Sequence, residues 1–567
     1  YPSGDQITIS WASVTYCTKL SNQLVASGSE NSAQTSSDTS AASASTTISP
    51  QSIIDCSIAD QQTRKRIQAV SNNTGYQLHY YYQNDYVDVW NDNGLIRNNS
   101  DQWLNLTGVK GINTTVEACD PNAFSCTLTG NWPTVTLASG GSGVLLVTMP
   151  GGGVWRYTYS GTSNPIYSIR RPTSSTDNVV VTLNLAGNSL TYAQDGQTWS
   201  YARAGVGSGT VTTTVTDPLG HQSIATANEA ISQLLTYKDR TNRTTTYTYD
   251  GAGRLLTAQA PEGNKAQYAY DGRGNVTSIT NFAKGSVGSI TSYQASYPAS
   301  CANPVICNKP TTSTDAGGNV TNYNYDATHG GTLSVTLPAP ASGGVRPETR
   351  YGYTSYGGIY RQTSTSSCRT TASCTGTSDE TMTTTSFTGG NLLPTTISGG
   401  AGDGSLTATT TIGYDSIGNA ISVDGPLPGS GDTSWAIYNA DRQKVGAIGP
   451  DPDGSGGLLP RAQRITYDAD GDAIQVDVGN VPSGATNLGT FTVLQSQTIG
   501  YDGAKRVVSS QLVAGGATQA LTQTSYDALG RVDCTVQRMN PAQFASPPSA
   551  CSLGAEGSFG PDRITRT

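Results

Sequence analysis

Polar and apolar residues alternate along most of this chain in short segments that end in turn residues. Examples are Val87-Asp88-Val89-Trp90, Val154-Trp155-Arg156-Tyr157 and Tyr247-Thr248-Tyr249. A period of two places alternate side chains on one face of a sheet and therefore predicts strands. The longest apolar run, Val144–Val147, has strand length and falls far short of the roughly 18 residues of a membrane helix. The pattern predicts an all-β chain without a membrane span.

A tyrosine–aspartate turn motif recurs within this pattern. Its two clearest copies, Tyr249-Asp250-Gly251-Ala252-Gly253-Arg254-Leu255 and Tyr270-Asp271-Gly272-Arg273-Gly274-Asn275-Val276, begin 21 residues apart. In a type I turn the Asp side chain accepts backbone N–H bonds and the Gly takes the positive-φ position, so the motif predicts a tight hairpin between two strands. The predicted structural residues of the turns are Tyr249, Asp250, Gly253, Tyr270, Asp271, Gly274, Tyr414, Asp415, Gly418, Tyr467, Asp468, Gly471, Tyr526, Asp527 and Gly530.

The repeat divides the chain into two predicted regions. Asp217-Pro218-Leu219-Gly220 and Asp239-Arg240-Thr241-Asn242 follow the same turn logic, so tandem hairpins are expected over residues 205–567. Residues 1–204 hold six of the seven Trp and are predicted to be β-rich, either as degenerate repeats or as a capping domain. Within them, the Ser/Thr-rich residues 26–52 are predicted to form an exposed loop or linker.

The ten cysteines are even in number, and eight of them fall into close couples. Their spacing does not match the C-x2–4-C pairs of structural zinc, and disulfides are therefore favoured over free buried thiols or a metal site. Disulfides in turn indicate an oxidising compartment. The predicted pairs are Cys17 with Cys56, Cys119 with Cys126, Cys301 with Cys307, Cys368 with Cys374, and Cys534 with Cys551.

Composition and charge restrict the possible partners. The chain has 65 Gly, 30 Tyr against 6 Phe, 13% charged residues and a net charge of −8. An acidic chain with only 32 Lys and Arg is unsuited to phosphate contacts, so no nucleic-acid partner is expected. The scarcity of aliphatic residues predicts a thin wall with two polar faces instead of a globular core.

No catalytic, metal or cofactor site stands out in the sequence. The only histidines are His79, His221 and His329, and no nucleophile motif accompanies them. Counted from Asp451, the Asp-rich turn at 451–455 has Ala462 where an EF-hand has Glu. Counted from Asp468, the turn at 468–472 has Ala473 and Gly479 where an EF-hand has Gly and Glu, which leaves an irregular calcium site as the alternative. The chain is predicted not to be an enzyme; a polysaccharide hydrolase with paired carboxylates is the least favoured hypothesis.

The motif copies resemble the RHS-repeat (YD-repeat) family over roughly residues 205–535. This family includes bacterial Rhs toxins, the shell-forming component of insecticidal toxin complexes and the teneurin ectodomain. The resemblance implies an all-β fold in which tandem hairpins spiral into a hollow β-shell or β-solenoid. It also implies a shell that can enclose an unfolded or toxic C-terminal segment.

The first functional hypothesis is a non-catalytic shell or scaffold segment of a bacterial protein that is secreted or carried on the cell surface. Its expected partner is a C-terminal continuation of the same chain, either cargo or toxin. The final residues 562–567 match the strand that enters a repeat, so we expect the array to continue. The alternative is an extracellular structural or adhesive assembly that binds other copies of itself or glycans.

The disulfide prediction can be tested by counting free thiols in the denatured, non-reduced chain. We expect no reactive thiol, because all ten cysteines have a predicted partner. A count of ten would contradict the prediction, and a count after reduction provides the control.

Overall fold

The computed structural model describes residues 3–17, 61–83, 89–92, 95–98, 105–161, 165–341, 343–371, 373–454 and 456–567. These residues form 39 β-strands and two short 3-10 turns, Lys284–Ser286 and Pro541–Gln543. Within these ranges there is no α-helix, and no helix could cross a membrane. Cys56 and the Ser/Thr-rich residues 26–52 lie outside the described residues, as does the side chain of Cys17.

The strands of the first 204 residues are β1 (Ile7–Cys17), β2 (Gln61–Asn72), β3 (Tyr76–Tyr82), β4 (Val89–Asp92), β5 (Leu95–Asn98), β6 (Leu106–Asn113), β7 (Thr134–Ser139), β8 (Val144–Thr148), β9 (Val154–Ser160), β10 (Ile166–Arg170), β11 (Val179–Asn184), β12 (Ser189–Gln194) and β13 (Gln197–Ala204). The next are β14 (Thr210–Thr216), β15 (Gln222–Asn228), β16 (Gln233–Lys238), β17 (Thr244–Tyr249), β18 (Leu255–Gln259), β19 (Lys265–Tyr270), β20 (Val276–Phe282), β21 (Ser289–Ser296), β22 (Thr312–Asp315), β23 (Val320–Tyr325), β24 (Thr332–Thr336), β25 (Glu348–Tyr356) and β26 (Ile359–Cys368). The last are β27 (Glu380–Phe387), β28 (Pro394–Ala401), β29 (Thr407–Tyr414), β30 (Ala420–Asp424), β31 (Ser434–Tyr438), β32 (Lys444–Ile448), β33 (Arg461–Tyr467), β34 (Ala473–Asn480), β35 (Thr492–Tyr501), β36 (Val507–Ala514), β37 (Ala517–Tyr526), β38 (Val532–Arg538) and β39 (Arg563–Arg566).

Thirty-seven of these strands form one continuous antiparallel sheet, and the β4–β5 hairpin stands apart from it. Each strand pairs with the next along the chain, except that β3 pairs directly with β6. The pairing of β13 with β14 carries the sheet across residue 204, so both predicted regions share it. The all-β prediction is confirmed. The boundary at residue 204 stays a prediction.

The sheet is a long ribbon whose two edges are made of turns. We call the edge that holds the turns after β17, β19, β23, β29, β31, β33, β35 and β37 the motif edge, because the tyrosine–aspartate copies lie there. The other edge is called the opposite edge. The turns that begin at Asp217 and Asp239 follow β14 and β16, which end at the opposite edge. The same turn chemistry therefore serves both edges.

The motif turns satisfy their backbone through the aspartate, as at Asp271. Its Oδ1 accepts the N–H groups of Arg273 and Asn275, both at 2.9 Å, and its Oδ2 accepts the Asn275 side chain at 2.8 Å. Gly274 has φ +92°, a backbone conformation in which a residue with a Cβ atom is strained. Lys505 and Arg442 take the same position at φ +61°, so the motif tolerates other residues there.

The motif tyrosine ties each hairpin to the one before it. Tyr270 Oη donates to the carbonyl of Leu255 at 2.9 Å, and Leu255 is the first residue of β18. The Arg254 guanidinium covers the Tyr270 ring at 4.7 Å. Burial raises the pKa of Tyr270, which keeps the phenol protonated as a donor. The same bond runs from Tyr249, Tyr297, Tyr325, Tyr353, Tyr414, Tyr467, Tyr501 and Tyr526.

Hydrophobic burial is sparse in the described residues. Three small clusters lie at hairpin ends, around Ile112 with Trp132, around Ile448 with Val481, and around Val536. One sheet face is instead lined by hydroxyl pairs such as Thr248 with Thr257, at 2.7 Å. The prediction of a wall with little aliphatic filling agrees with this structure.

Four of the five cysteine couples form disulfides, each next to or within one connection between strands. They are Cys119–Cys126, Cys301–Cys307, Cys368–Cys374 and Cys534–Cys551. The last one holds the loop after β38, beside the ion pair between Arg538 and Asp562 at 2.6 Å. These bonds fix loops where little apolar surface is available.

The tyrosine bond can be tested with Tyr270→Phe. Loss of one buried hydrogen bond costs about 1 kcal/mol, so amide exchange in β18 and β19 should accelerate about fivefold. Hydrogen exchange measured by mass spectrometry would show this. Tyr237→Phe is the control, since that side chain is 40% exposed, and equal acceleration in both variants would contradict the role of Tyr270.

Candidate functional site: the seam between two tiers

The ribbon coils so that its opposite edge meets its own motif edge, and we call this contact line the seam. The turn between β8 and β9 reaches the turn between β31 and β32, where Gly151 N donates to Asp441 Oδ1 at 2.7 Å. The turn between β10 and β11 reaches the turn between β33 and β34, where Thr173 bonds Asp470. The part of the large sheet from β1 to β11 thus lies against its part from β25 to β36. We call these two parts the first tier and the second tier.

The spacing of these contacts gives the size of one coil. Both pairs of turns lie 23 strands apart in the sheet. Because 23 is odd and neighbouring strands are antiparallel, a turn that points up in one tier faces a turn that points down in the next. Only an odd number of strands per coil brings turn tips together in this way.

Aspartates of the second tier accept backbone donors of the first. Asp470 takes the Thr173 N–H at 3.1 Å and the Thr173 hydroxyl at 2.5 Å. A Cβ at Gly151 would lie 1.9 Å from Asp441 Oδ2, so a larger residue there would displace the carboxylate from its present position. The Lys505 ammonium lies 6.0 Å from the centre of the Trp155 ring and adds a cation–π contact across the seam.

Further polar contacts extend the seam in both directions. At its start, the Arg361 guanidinium pairs with Asp5 at 2.7 Å. Asn113 Nδ2 donates to Asn391 Oδ1 at 2.8 Å. At the far end, Arg171 donates to the Gly503 carbonyl at 2.6 Å and also pairs with Asp195 in its own tier. The seam is therefore a row of short polar bonds between turn tips.

An apolar cavity of about 570 Å³ opens beside the seam. Val70, Leu78, Val109 and Val135 line it from the first tier, and Ile417 closes it from the second. The same sheet face exposes the aromatic and aliphatic side chains of Ile7, Trp11, Leu78, Leu145, Tyr157, Tyr159 and Tyr167. The prediction of two polar faces does not hold for this part of the wall, because alternate positions of its strands are apolar.

The three histidines that the sequence offered as chemical groups each contact neighbouring side chains of the fold. His79 is buried against the Cys119–Cys126 disulfide, and burial lowers its pKa. His329 packs on the rings of Tyr353 and Tyr360. His221 lies 3.2 Å from the carboxylate of Asp217.

In the described residues, carboxylate, cysteine and histidine side chains cluster in four places, and each cluster has structural contacts of its own. The carboxylates of Asp468, Asp470 and Asp472 gather within 4.8 Å of one another. Lys505 contacts two of them, at 3.5 and 3.1 Å, so an ammonium already offsets their charge. In the other three clusters of the described residues the cysteine sulfurs are in disulfides and offer no thiolate.

The predicted turn residues lie along the motif edge, where the aspartates bond within their own turns. The seam was not predicted from the sequence. Its partners are 297 residues apart in the case of Thr173 and Asp470. One signal was present in the sequence: Asp441 and Asp470 stand at the same position of their motif copies, two residues after Asn439 and Asp468, which begin the turns. Nothing in the sequence identified their partners.

Acid should destabilise the motif turns. Hydrogen bonds from Asn275 to Asp271 and from Arg254 to Asp250 hold the pKa of each carboxyl below its ordinary value. The unfolded value is near 3.9, so this stabilisation is complete above about pH 4 and is lost as the pH falls through the lower folded value. We expect the melting temperature to drop between pH 5 and pH 2.

Asp271→Asn provides the matched variant for the acid test. It should melt below the parent at pH 7 and lose less on acidification, because one titrating group is gone. Parallel melting curves for the two proteins across this range would argue against the role of the turn carboxylates.

Comparison with known proteins gives a family match for one section of the ribbon. Residues 231–265 match the family model of the RHS repeat, and these residues hold the Tyr249–Asp250 turn. A search of curated protein sequences found no match.

Solved structures of TcdB2-TccC3 match at low similarity. The crystal structure of TcdB2-TccC3-TEV is 12% identical to this chain, with a TM-score of 0.25. The match covers 89% of this chain and 32% of the solved chain. The crystal structure of TcdB2-TccC3 without its hypervariable C-terminal region is also 12% identical, with a TM-score of 0.26. The match covers 82% of this chain and 30% of the solved chain. The chain spans about a third of the length of these solved chains. The description of its fold comes from the strand pairing and not from these matches. The chain therefore contains a section that matches the RHS repeat, at residues 231–265 and with a tyrosine–aspartate hairpin inside it.

Proposed function

We propose that this chain is a section of the wall of a container, which encloses or presents a C-terminal part of the same polypeptide. The observation that carries the proposal is the seam, because it closes a flat ribbon into stacked coils. A ribbon without a seam would be an open sheet with exposed faces. The wall has no catalytic step in this proposal; it confines and supports.

The dimensions of one coil suit confinement. Neighbouring strands lie about 4.8 Å apart, so 23 strands give a perimeter of about 110 Å. A circular coil of this perimeter is about 35 Å across, and side chains about 5 Å long leave a lumen of about 25 Å. This space accepts an extended chain or a helix but is narrower than a folded domain of about 100 residues.

We place the protein outside the cytoplasm, secreted or on the surface of a bacterium. Four local disulfides support an oxidising compartment. The bacterial source follows from the resemblance of the repeat copies and from no measured property of the chain.

A second candidate function is an extracellular adhesive assembly. It is favoured by the exposed aromatic side chains of the first tier, where the rings of Tyr159 and Tyr167 lie 5.1 Å apart. Such rings can stack on sugars or on a neighbouring copy. In that case the sheet face with these aromatic side chains would carry the function and the lumen would be empty.

Electron cryomicroscopy of the natural full-length protein separates the two functions. We expect discrete hollow particles with density inside the wall. Extended polymers, or particles whose lumen is empty while the surface binds glycans, would contradict the container.

The seam itself can be tested with Asp470→Ala. Hydrogen bonds to a charged group contribute about 1.5–3 kcal/mol, so amide exchange at Thr173 and its neighbours should accelerate at least tenfold. Asp527→Ala is the matched control, since it removes a motif aspartate whose bonds are local to its turn. If Asp527→Ala opened residues 171–175 to the same extent, the seam would not depend on Asp470.

A further inference from the structure

The cavity beside the seam combines an apolar wall with a single charged residue. Its volume of about 570 Å³ is that of a small-molecule site. Val70, Leu78 and Val135 form its wall on the first tier, and Ile417 faces them from the second. Among the described residues that line it, Arg442 alone carries a charge. This composition suits a ligand with an apolar body and one anionic group.

The guanidinium of Arg442 makes no ion pair within the described ranges. Its Nε donates to Asn419 Oδ1 at 2.8 Å, which holds the side chain and uses one of its five N–H donors. Lys505 is the other basic residue at this position of a motif turn, and its ammonium contacts Asp470 and Asp472. The two positive charges are therefore used differently: Lys505 serves the seam, and Arg442 faces the cavity.

The backbone at Arg442 gives a second indication that this side chain has a role. Its φ of +61° lies in the left-handed region, and Gly418 and Gly471 occupy the same position in their own turns. A residue with a Cβ atom is strained there, and such strain clusters at sites where a particular side chain is needed. Glycine would fit this backbone better than arginine does.

Tyr76 supplies another donor near the guanidinium. It lines the cavity, and its hydroxyl lies against Gly418 of the second tier, where an added Cβ would collide with it. Burial raises the pKa of Tyr76, and the positive charge of Arg442 acts against that shift. The phenol therefore stays protonated and can donate, and the guanidinium lies close enough to act on it.

The carboxylates of the neighbouring turns are already bonded. Asp415 accepts the backbone N–H of Asn419 at 2.8 Å and its side-chain amide at 2.8 Å. Asp441 accepts the Gly151 N–H across the seam. These bonds stabilise both negative charges locally and leave the remaining donors of Arg442 to another anion.

We propose that this cavity binds an amphipathic carboxylate of the fatty-acid class. Its carboxylate would accept hydrogen bonds from Arg442 and Tyr76, and its hydrocarbon chain would lie on the apolar wall. One guanidinium and one phenol match a single negative charge, which favours a carboxylate over a phosphate dianion. An uncharged apolar peptide would leave the guanidinium without an anion.

The inference goes beyond the proposed function, because neither a container wall nor an adhesive surface requires a bound small molecule. It also has a consequence for the seam. The cavity is lined by both tiers, so a ligand in it contacts both. A ligand that binds only the closed arrangement stabilises that arrangement.

Isothermal titration calorimetry of the full chain with dodecanoate, kept below its micelle concentration, tests the site. We expect one saturable site in the parent and at least tenfold weaker binding to Arg442→Gly, because the carboxylate loses its charged donor. Arg243→Ala is the control matched in charge, since it removes an exposed arginine from a turn that does not line the cavity. Circular dichroism melts that match the parent exclude unfolding as the cause.

Two further measurements locate the ligand. Dodecanol has the same chain without the charge and should bind the parent at least tenfold more weakly than dodecanoate. Leu78→Glu places a carboxylate on the apolar wall, at a position that is 45% exposed, and should abolish binding. Equal binding of the alcohol, unchanged binding by Arg442→Gly or Leu78→Glu, or no saturable site in the parent would overturn the proposal.

Hydrogen exchange measures the effect on the seam. With dodecanoate at about 100 times its Kd, the amide of Gly151 should exchange at least tenfold more slowly in the parent and at an unchanged rate in Arg442→Gly. Exchange at Gly151 that does not respond to the ligand would contradict binding between the tiers. All of these outcomes are independent of the hollow particles expected for a container.

Discussion

A ribbon of antiparallel strands is bounded by turns, and every polar group in those turns needs a partner. The structure meets this need twice. Within each motif turn the aspartate accepts the backbone donors, as Asp271 does. Between tiers, turn tips meet and complete each other, as Thr173 and Asp470 do. The coil exists because the number of strands per circuit brings these two kinds of edge together.

Hydrogen bonds replace much of the core that a globular domain would have. The Tyr270 hydroxyl reaches the preceding hairpin, and the Arg254 side chain covers the tyrosine ring and bonds the next turn. The hairpin of Tyr270 is thus attached to its neighbour by one phenol and one basic side chain, and the phenol bond recurs in the other motif copies. Individually these bonds are weak, near 1 kcal/mol each, but they recur along the ribbon. This explains how a chain with 30 Tyr and few buried aliphatic residues keeps a regular wall.

Local features of this chain were predictable from sequence, and distant ones were not. The hairpin turns at Asp250 and Asp271 follow from an Asp and a Gly three positions apart, because the geometry of a tight turn is set locally. The seam joins Gly151 to Asp441 across 290 residues, and its register depends on the strand count of a whole coil. No residue pattern encodes that count directly. The apolar face of the first tier was also not predicted. Alternation of polar and apolar residues shows that a segment is a strand, but it does not show which of its faces is exposed to solvent.

The disulfides lie next to or inside single connections, with separations of 7, 6, 6 and 17 residues. In the described residues, therefore, no disulfide bond joins one tier to the next. A force applied to one end of the chain would meet the resistance of one hairpin and a few tip bonds at a time. Such a wall could unfold one hairpin at a time from the end of the chain. Each disulfide would keep its own loop closed while the rest of the coil stays folded.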